Sequence, residues 1–436
     1  MSDPSFGAIV LKAAIGWLFV LQMVPLMIWL ERKGAAFIQD RIGPNRAYIP
    51  GLGLRLAGMV HSLADVVKIL FKEDLVPKHV NRFYYVLAPG LAMFTALIVG
   101  AVIPYSHPIS FADGSTLTLQ GIDLDVGILF MLAVSSVAVY AVALAGWASN
   151  NKYSQLGGLR ASANMISYEV NMGLAIVGLL LVYNSTNLND MVARQTDVEN
   201  LALGFLPRWG ILLQPVGFLL YLISAFAETN RNPFDLVEGE AELVAGFHTE
   251  YGSFKFALFF MAEYVNIVVQ SLVIATLFFG GWQIPWVSHE WLAKPEHAAG
   301  ILRFVLWVVT IGGALAGIKL LFWHRKNRLR WQDARSREGV VLAGLLGFGP
   351  AITAFIVLSA WSGALTADGG AIGAAVIEFL TLALKTLFFC WLFIWVRWTT
   401  PRFRYDQLMG LGWKVLLPLG IANLFVTALL VKAGVL

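Results

Sequence analysis

The sequence predicts an all-α polytopic membrane protein with about ten transmembrane helices and one interfacial amphipathic helix. Three observations carry this. The 436-residue chain is 58% hydrophobic and 13% charged, whereas soluble domains are about 25% charged. Apolar runs near the roughly 20 residues needed to cross hydrocarbon recur along the whole chain. Basic residues gather in alternate connections between those runs, as cytoplasmic loops of membrane proteins do.

In chain order the runs are Ala8–Leu30, Phe83–Pro104, Val126–Trp147, Ala163–Tyr183, Ile211–Ala227, Phe256–Trp282, Ile301–Trp323, Val340–Trp361, Ile377–Val396 and Leu411–Val431. Trp and Tyr stand at several of their flanks, where membrane interfaces favour them. Alternating the connections puts about 23 of the 31 Lys and Arg on one side and about six on the other. That asymmetry supports an even number of spans, with both termini expected to be periplasmic. The start, MSDPSFGAIV, lacks a basic region and a small-residue cleavage site, so the first run is expected to be retained. A bacterial inner (plasma) membrane is the expected location.

The connection from Arg32 to Arg82 contains LGLRLAGMVHSLADVVKILFK, residues 52–72. Its polar positions Arg55, His61, Ser62, Asp65, Lys68 and Lys72 recur near helical spacing, and apolar residues fill the rest. This is an amphipathic helix too polar to span. It is expected to lie along the membrane surface, the alternative being an ordinary helix packed on protein. GLGLRLAG at 51–58 lacks the preceding strand and the glycine spacing of a dinucleotide fingerprint.

Several chemistries are excluded. One cysteine, Cys390, allows no disulfide framework and no Cys-ligated zinc or iron–sulfur cluster from this chain alone. None of the seven histidines falls in the middle of a predicted span, which argues against paired axial haem ligands. There is no phosphate-binding loop and no HExxH. The net charge of +4 suggests no nucleic-acid partner. The chain supplies no redox centre, so any electrons come from a partner.

The carboxylates carry the functional signal. Residues 227–251, AETNRNPFDLVEGEAELVAGFHTEY, hold Glu228, Asp235, Glu238, Glu240, Glu242 and Glu250 with a single arginine, Arg231. Asp235 and Glu238 are spaced as in a capping box, and Gly246 is placed to end the short helix. An acidic loop alone is most simply a solvated face. Two further acids point elsewhere: Glu169 and Glu263 each lie about two turns inside a predicted span. A carboxylate at that depth costs a few kcal/mol and normally faces a polar cavity. A row from Glu263 through the loop and Glu228 to Glu169 would pass protons or sense a nearby charge. The structural alternative is that each acid simply bonds to a Lys or Arg, the intramembrane Lys319 and Lys385 among the candidate partners. Basic residues gather on the same side, in ERKGAAFIQDRIGPNR (Arg32, Lys33, Arg41, Arg46) and VRWTTPRFRYDQLM (Arg397, Arg402, Arg404). They are either topology signals alone or the rim of a pocket or docking surface.

ERKGAAFIQDRIGPN, SLADVVKILFKED, WASNNKYSQLGGLRASANMISYEV, the acidic stretch, FALFFMAEYVNI and FIWVRWTTPRFRYDQLM together resemble the H-type membrane subunit of bacterial respiratory complex I, the equivalent of mitochondrial subunit 1. The resemblance runs in order over Ala8 to Trp282 and Ile377 to Val431. It implies a membrane subunit of NADH:quinone oxidoreductase, which forms the quinone chamber and couples quinone reduction to proton translocation. Quinone would be the substrate, with FMN and iron–sulfur clusters in partner subunits. The expected partners are the hydrophilic quinone-module subunits, adjacent membrane subunits and lipid.

Arg32, Arg41 and Arg402 resemble basic residues near the quinone path, and Phe234 resembles the aromatic beside the quinone. With Asp65 on the amphipathic helix they form the expected chamber set. Glu169, Glu228, Glu240, Glu242 and Glu263 resemble the acidic path toward the proton-pumping subunits, and Asp235, Glu238 and Glu250 are grouped with them. The family usually has eight spans. The chain is therefore read as a core, 1–282, an inserted two-helix region, 283–376, and the last two core helices, 377–436. The amphipathic helix and the first and sixth spans are expected to frame an opening to the bilayer. Two alternatives stay open: the equivalent subunit of a related complex fed by ferredoxin or another reduced carrier, and an ion or solute transporter with Glu169 and Glu263 as its site.

Overall fold

The computed structural model describes residues 6–49, 54–111, 115–195, 206–235, 244–327, 340–352 and 367–434. Its long elements are α1 (Phe6–Ile38), α2 (Val60–Leu70), α3 (Arg82–Val102), α4 (Gly127–Ala148) and α5 (Lys152–Tyr183). There follow α6 (Leu188–Gln195), α7 (Gly210–Leu213), α8 (Pro215–Glu228), α9 (Ser253–Phe278), α10 (His289–Leu292) and α11 (Pro295–Asn327). The chain ends with α12 (Val340–Ile352), α13 (Ala367–Thr399), α14 (Tyr405–Gly410) and α15 (Leu417–Lys432). A two-residue antiparallel pairing, Ile109–Ser110 with Thr116–Leu117, is the one sheet among the described residues. Seven described helices are long and apolar enough to cross a membrane, and α8 and α12 are shorter apolar helices. The first predicted run lies on the 33-residue α1.

In its described residues each predicted run lies mainly on helix, with four differences of detail. The fifth run is broken: Gln214 leaves helical geometry between α7 and α8 (φ −135°, ψ 61°), because Pro215 crowds the residue before it and offers no N–H. The sixth helix stops at Phe278 rather than Trp282, at a turn through Gly280 and Gly281. The last run begins with a π-turn over Leu411–Leu416. The amphipathic helix starts at Val60 rather than at residue 52. Before it, Leu56 and Ala57 have positive φ, and Gly58 (φ +95°) sits so close to the Pro44 carbonyl that a Cβ would lie 2.3 Å from its oxygen. A continuous helix cannot pass through that contact.

Long-range bonds sort the helix ends into two groups. At one end the Asn81 N–H donates to Ala148 O (3.1 Å), and Asn151 Nδ2 donates to Glu250 Oε1 (2.7 Å). Arg402 meets Asp235 there, and Arg397 meets Glu31. This is the end rich in basic residues. At the other end Lys12 Nζ donates to Thr118 Oγ1 (3.2 Å), Gln214 Nε2 to Thr427 Oγ1 (2.6 Å) and the His107 N–H to Glu378 Oε2 (2.9 Å). Successive spans therefore run antiparallel, as the charge alternation requires. In the 283–376 region α11 and α12 form an antiparallel pair: Gly313 lies against Leu346 and Gly317 against Ala343. Small residues there let the backbones approach.

The core centres on α9, apolar and buried on nearly all faces from Tyr264 to Phe278, as a helix enclosed by other helices should be. Lys385 of α13 closes its far end. The ammonium donates to the carbonyls of Phe279 (2.7 Å), Gly281 (2.8 Å) and Gln283 (2.6 Å). A cation suits these otherwise unmatched carbonyls.

Candidate functional site

The site occupies the basic end of the bundle, where α1, α2, α5, α8, α9 and the α13–α14 connection converge. The amphipathic helix is fixed against α1 by Ser62 Oγ, which donates to Pro25 O (3.2 Å). Ser253, at the start of α9, donates to Lys72 O just beyond it (2.9 Å). A cavity of about 460 Å³ opens between α1, α2 and α9. Leu21, Val24, Ile28, Val66, Phe256, Ala257, Phe260 and Met261 make its walls apolar. Its charged lining comes from Arg32, Asp65, Lys68 and Lys72, with Arg32 and Asp65 paired at 2.6 Å and both part-exposed. The first span, the amphipathic helix and the sixth span thus frame an opening. Its volume falls in the range of small-molecule sites.

Beside this cavity lies a charge cluster that the sequence reading missed. Glu31, the residue before Arg32, is only 7% exposed. Its carboxylate accepts from Arg231 Nη1 (3.3 Å), from the Tyr264 hydroxyl (2.8 Å) and from Arg397 Nη1. Arg231, the lone arginine of the acidic stretch, lies over the Tyr264 ring at 4.4 Å. Burial alone would lower its pKa, but the nearby Glu31, Tyr264 and Glu263 outweigh that and raise it. Arg231 Nε and Nη2 have no hydrogen-bond partner among the described residues. A signal for Glu31 existed: an acid beside two basic residues at the end of an apolar run.

The two recognisable loops meet. Asn232 Nδ2 donates to Arg397 O (3.0 Å) and Thr400 O (2.7 Å), and the Phe403 N–H donates to Pro233 O (3.0 Å). Arg402 Nη2 donates to the buried Asp235 at 2.9 Å. Phe234 is 4% exposed and packs edge-on against Tyr168 (5.4 Å) and beside Phe403 (5.6 Å). The interleaved arginines and turn residues of TTPRFRYD are thus not topology charges alone. Arg402 and the Phe403 N–H hold the start of the acidic stretch, while Arg404 pairs with the exposed Asp406.

Deeper in the bundle Glu228 and Glu263 line one cavity of about 30 Å³ with Asn230, Asn266 and Thr229, room for a water or two. Gln270 Nε2 donates to Glu228 (2.8 Å) and its Oε1 accepts from the Tyr221 hydroxyl (2.7 Å). Glu169 lies against Ser136 and within electrostatic range of Glu228. The three intramembrane acids therefore face the protein interior. Lys385 is committed to the α9 carbonyls at the opposite end and Lys319 is exposed on α11, whereas Glu263 lies within electrostatic range of Arg231. The Glu250 carboxylate bonds Asn151, and its backbone carbonyl accepts from the Tyr85 hydroxyl (2.7 Å). Lys255 pairs with Asp74 beside it. His248, near Asp235, has its pKa pushed down to about 4, chiefly by burial.

Arg41 stands apart from the rim. It is exposed, and among the described residues its side chain bonds only Gln39 (2.7 Å). Its loop turns away and is tied to α2 by Arg46 and Ala47 N–H bonds to His61 Nε2 (both 3.0 Å). Glu238, Glu240 and Glu242, with the expected capping-box helix, lie outside the described residues. No group of three metal-ligating side chains occurs among the described residues.

The arrangement joins an apolar cavity to buried ion pairs and to a set of part-buried acids. The family described as NADH dehydrogenase matches residues 11–334 and 344–428. The NADH-quinone oxidoreductase H subunit of Bdellovibrio bacteriovorus is 41% identical over 437 residues, covering 97% of this chain and 95% of that protein. The NADH-quinone oxidoreductase H 1 subunit of Solibacter usitatus is 41% identical over 426 residues, 96% of each chain. NADH-quinone oxidoreductase subunit 8 of Rhodothermus marinus is 40% identical over 420 residues, also 96% of each. The chain belongs to the NADH dehydrogenase family and is a homologue of the H subunits of bacterial NADH-quinone oxidoreductases.

Proposed function

We propose that this chain, a membrane subunit of an NADH-quinone oxidoreductase, forms the quinone chamber and its opening to the bilayer, and couples quinone reduction to proton movement. The observation that carries this is the apolar cavity between α1, α2 and α9 that ends at the Arg32–Asp65 rim. An isoprenoid tail needs an apolar passage continuous with lipid, and a headgroup that takes up electrons needs polar groups at its end. Reduction supplies charge in a site of low dielectric, where carboxylates respond by changing protonation. Glu31, Arg231 and Glu263 link the rim region to the Glu228 cavity. They give that response a physical route into the bundle. Electrons arrive from a redox group in a partner subunit, and the residues here orient the headgroup, exclude water and hold protons.

Narrowing the cavity tests the reading. Ala257→Trp narrows the passage and replaces none of its charged groups. In the whole complex it should lower turnover with long-tailed quinones roughly tenfold or more while sparing short-tailed analogues. Equal rates with both would remove this cavity as the route.

A further inference from the structure

The end opposite the site, poor in Lys and Arg and so the outer one, holds a cluster of titratable groups that the proposed function does not use. His107 lies in the connection after α3, His289 opens α10, and Glu378 stands in the first half of α13. The imidazole rings of His107 and His289 stack at 3.8 Å, 19° from parallel. The buried Glu378 carboxylate accepts from His289 Nδ1 (2.7 Å) with one oxygen and from the His107 N–H (2.9 Å) with the other. Trp282 meets the His107 ring edge-on at 5.4 Å. His289 and Glu378 stand at the two ends of the 283–376 region, so this cluster fastens both ends to a loop of the core. Beside it Leu292, Ala298 and Leu302 cluster with Ala374 and Ile377.

His107 Nδ1 lies 3.0 Å from Pro108 O, and His289 Nδ1 faces a carboxylate. Both Nδ1 atoms therefore carry protons, and a further proton adds at Nε2. Glu378 balances one imidazolium. A second one stacks a like charge on the first in a part-buried position. Burial first, and His289 second, lower the His107 pKa from its ordinary 6.5, against the opposing pull of Pro108 O and Glu378. The other charges on the packing elements are engaged or exposed. Lys385 of α13 holds the carbonyls after α9, Lys12 of α1 bonds Thr118, and His297 of α11 stacks on Trp291. Asp123, Asp125, Glu290, Lys294 and Glu296 are exposed. We propose that His107, His289 and Glu378 form a staple worked by outer pH: near neutrality it holds the 283–376 region on the core, and a second proton parts the rings and frees α10. The open cluster binds a proton that the closed one refuses. Closure therefore weakens as pH falls below 6.5, by at most about tenfold per pH unit. Only its use as a sensor of translocated protons rests on the function proposed above.

The test uses the whole complex in detergent. Hydrogen exchange is followed by mass spectrometry in peptides covering 104–111 and 289–300, with 265–278 of α9 as the reference. Exchange at about pH 7.5 and about pH 5 is corrected for the intrinsic rate at each. The two peptides should exchange about tenfold faster at the lower pH while the reference holds. His107→Phe keeps a stacked ring and the main-chain bond to Glu378 but takes no proton. Its corrected exchange should not change with pH. Absence of an acid response in the native complex overturns the proposal, as does a full response in His107→Phe or an equal response in the reference. Should His107→Phe fail to assemble, His289→Gln serves, since its amide still donates to Glu378; an undiminished acid response there refutes the staple. The readout is docking and not quinone reduction, so failure here leaves the chamber reading standing.

Discussion

Glu31→Gln is the most informative substitution in this chain. Glutamine keeps the size of the side chain and one acceptor oxygen, so the Tyr264 hydroxyl still finds a partner. What disappears is the negative charge between Arg231 and Arg397, both of which donate to Glu31 in a largely desolvated position. Removing one member of a buried ion pair costs about 3–5 kcal/mol, because the remaining charge is left uncompensated. The retained acceptor and the partial exposure of Arg397, 23%, bring the expected loss to roughly 3 kcal/mol. If the loss arises from two unbalanced arginines, neutralising Arg397 as well should recover much of it. A double-mutant cycle with Glu31→Gln and Arg397→Gln, read as stability of the assembled complex in denaturant or heat, should give a coupling near 2 kcal/mol, roughly thirtyfold. Quinone reductase activity of the same set should follow the same order. Additive losses in the cycle would show that Glu31 does not act by balancing these two charges.

Further outcomes follow from other contacts. Gly157→Val should prevent stable assembly, because a Cβ there would stand 2.7 Å from the backbone of Gly246 and Phe247; Gly90→Ala, with nothing within 4 Å of its Cβ, is the tolerated control, both scored by subunit content of purified membranes. Lys385→Met should cost roughly 3 kcal/mol of heat stability by leaving three carbonyls unmatched, whereas exposed Lys319→Met should change it by less than about 0.5 kcal/mol; equal effects would remove the capping account. His248 is held neutral, its pKa lowered from 6.5 to about 4. Between those values the unfolded chain binds a proton that the folded chain refuses, so stability is lost as pH falls through that window. His248→Gln should flatten the slope between pH 6.5 and 4 in thermal unfolding. Phe234→Ala should lower stability by about 3–5 kcal/mol through loss of a buried ring, and raise the KM for quinone more than Phe403→Ala does.

The first span, the amphipathic helix and the antiparallel order of the spans were legible in the chain because each rests on a one-dimensional pattern. Apolar length, helical recurrence of polar residues and the side on which Lys and Arg fall are local quantities, fixed by the costs of transfer into hydrocarbon. The acids Glu169, Glu228 and Glu263 could be picked out for the same reason: a carboxylate inside an apolar run is costly wherever it ends up. Their partners could not. Glu31 and Arg231 are 200 residues apart, and nothing in the spacing of either announces the other. Lys385 is intramembrane like the acids, yet packing carries it to the opposite end of the bundle, onto the carbonyls of α9. Arg41 and Arg32 share one sequence motif, but the turn through Gly43 and the Gly58–Pro44 contact leave only Arg32 on the rim. The sequence by itself thus determined that helices cross a membrane, which end is basic and which residues are too costly to be idle there. Tertiary packing alone decided which charges neutralise each other, because that depends on helix rotation and depth, set by side-chain contacts summed across the whole bundle.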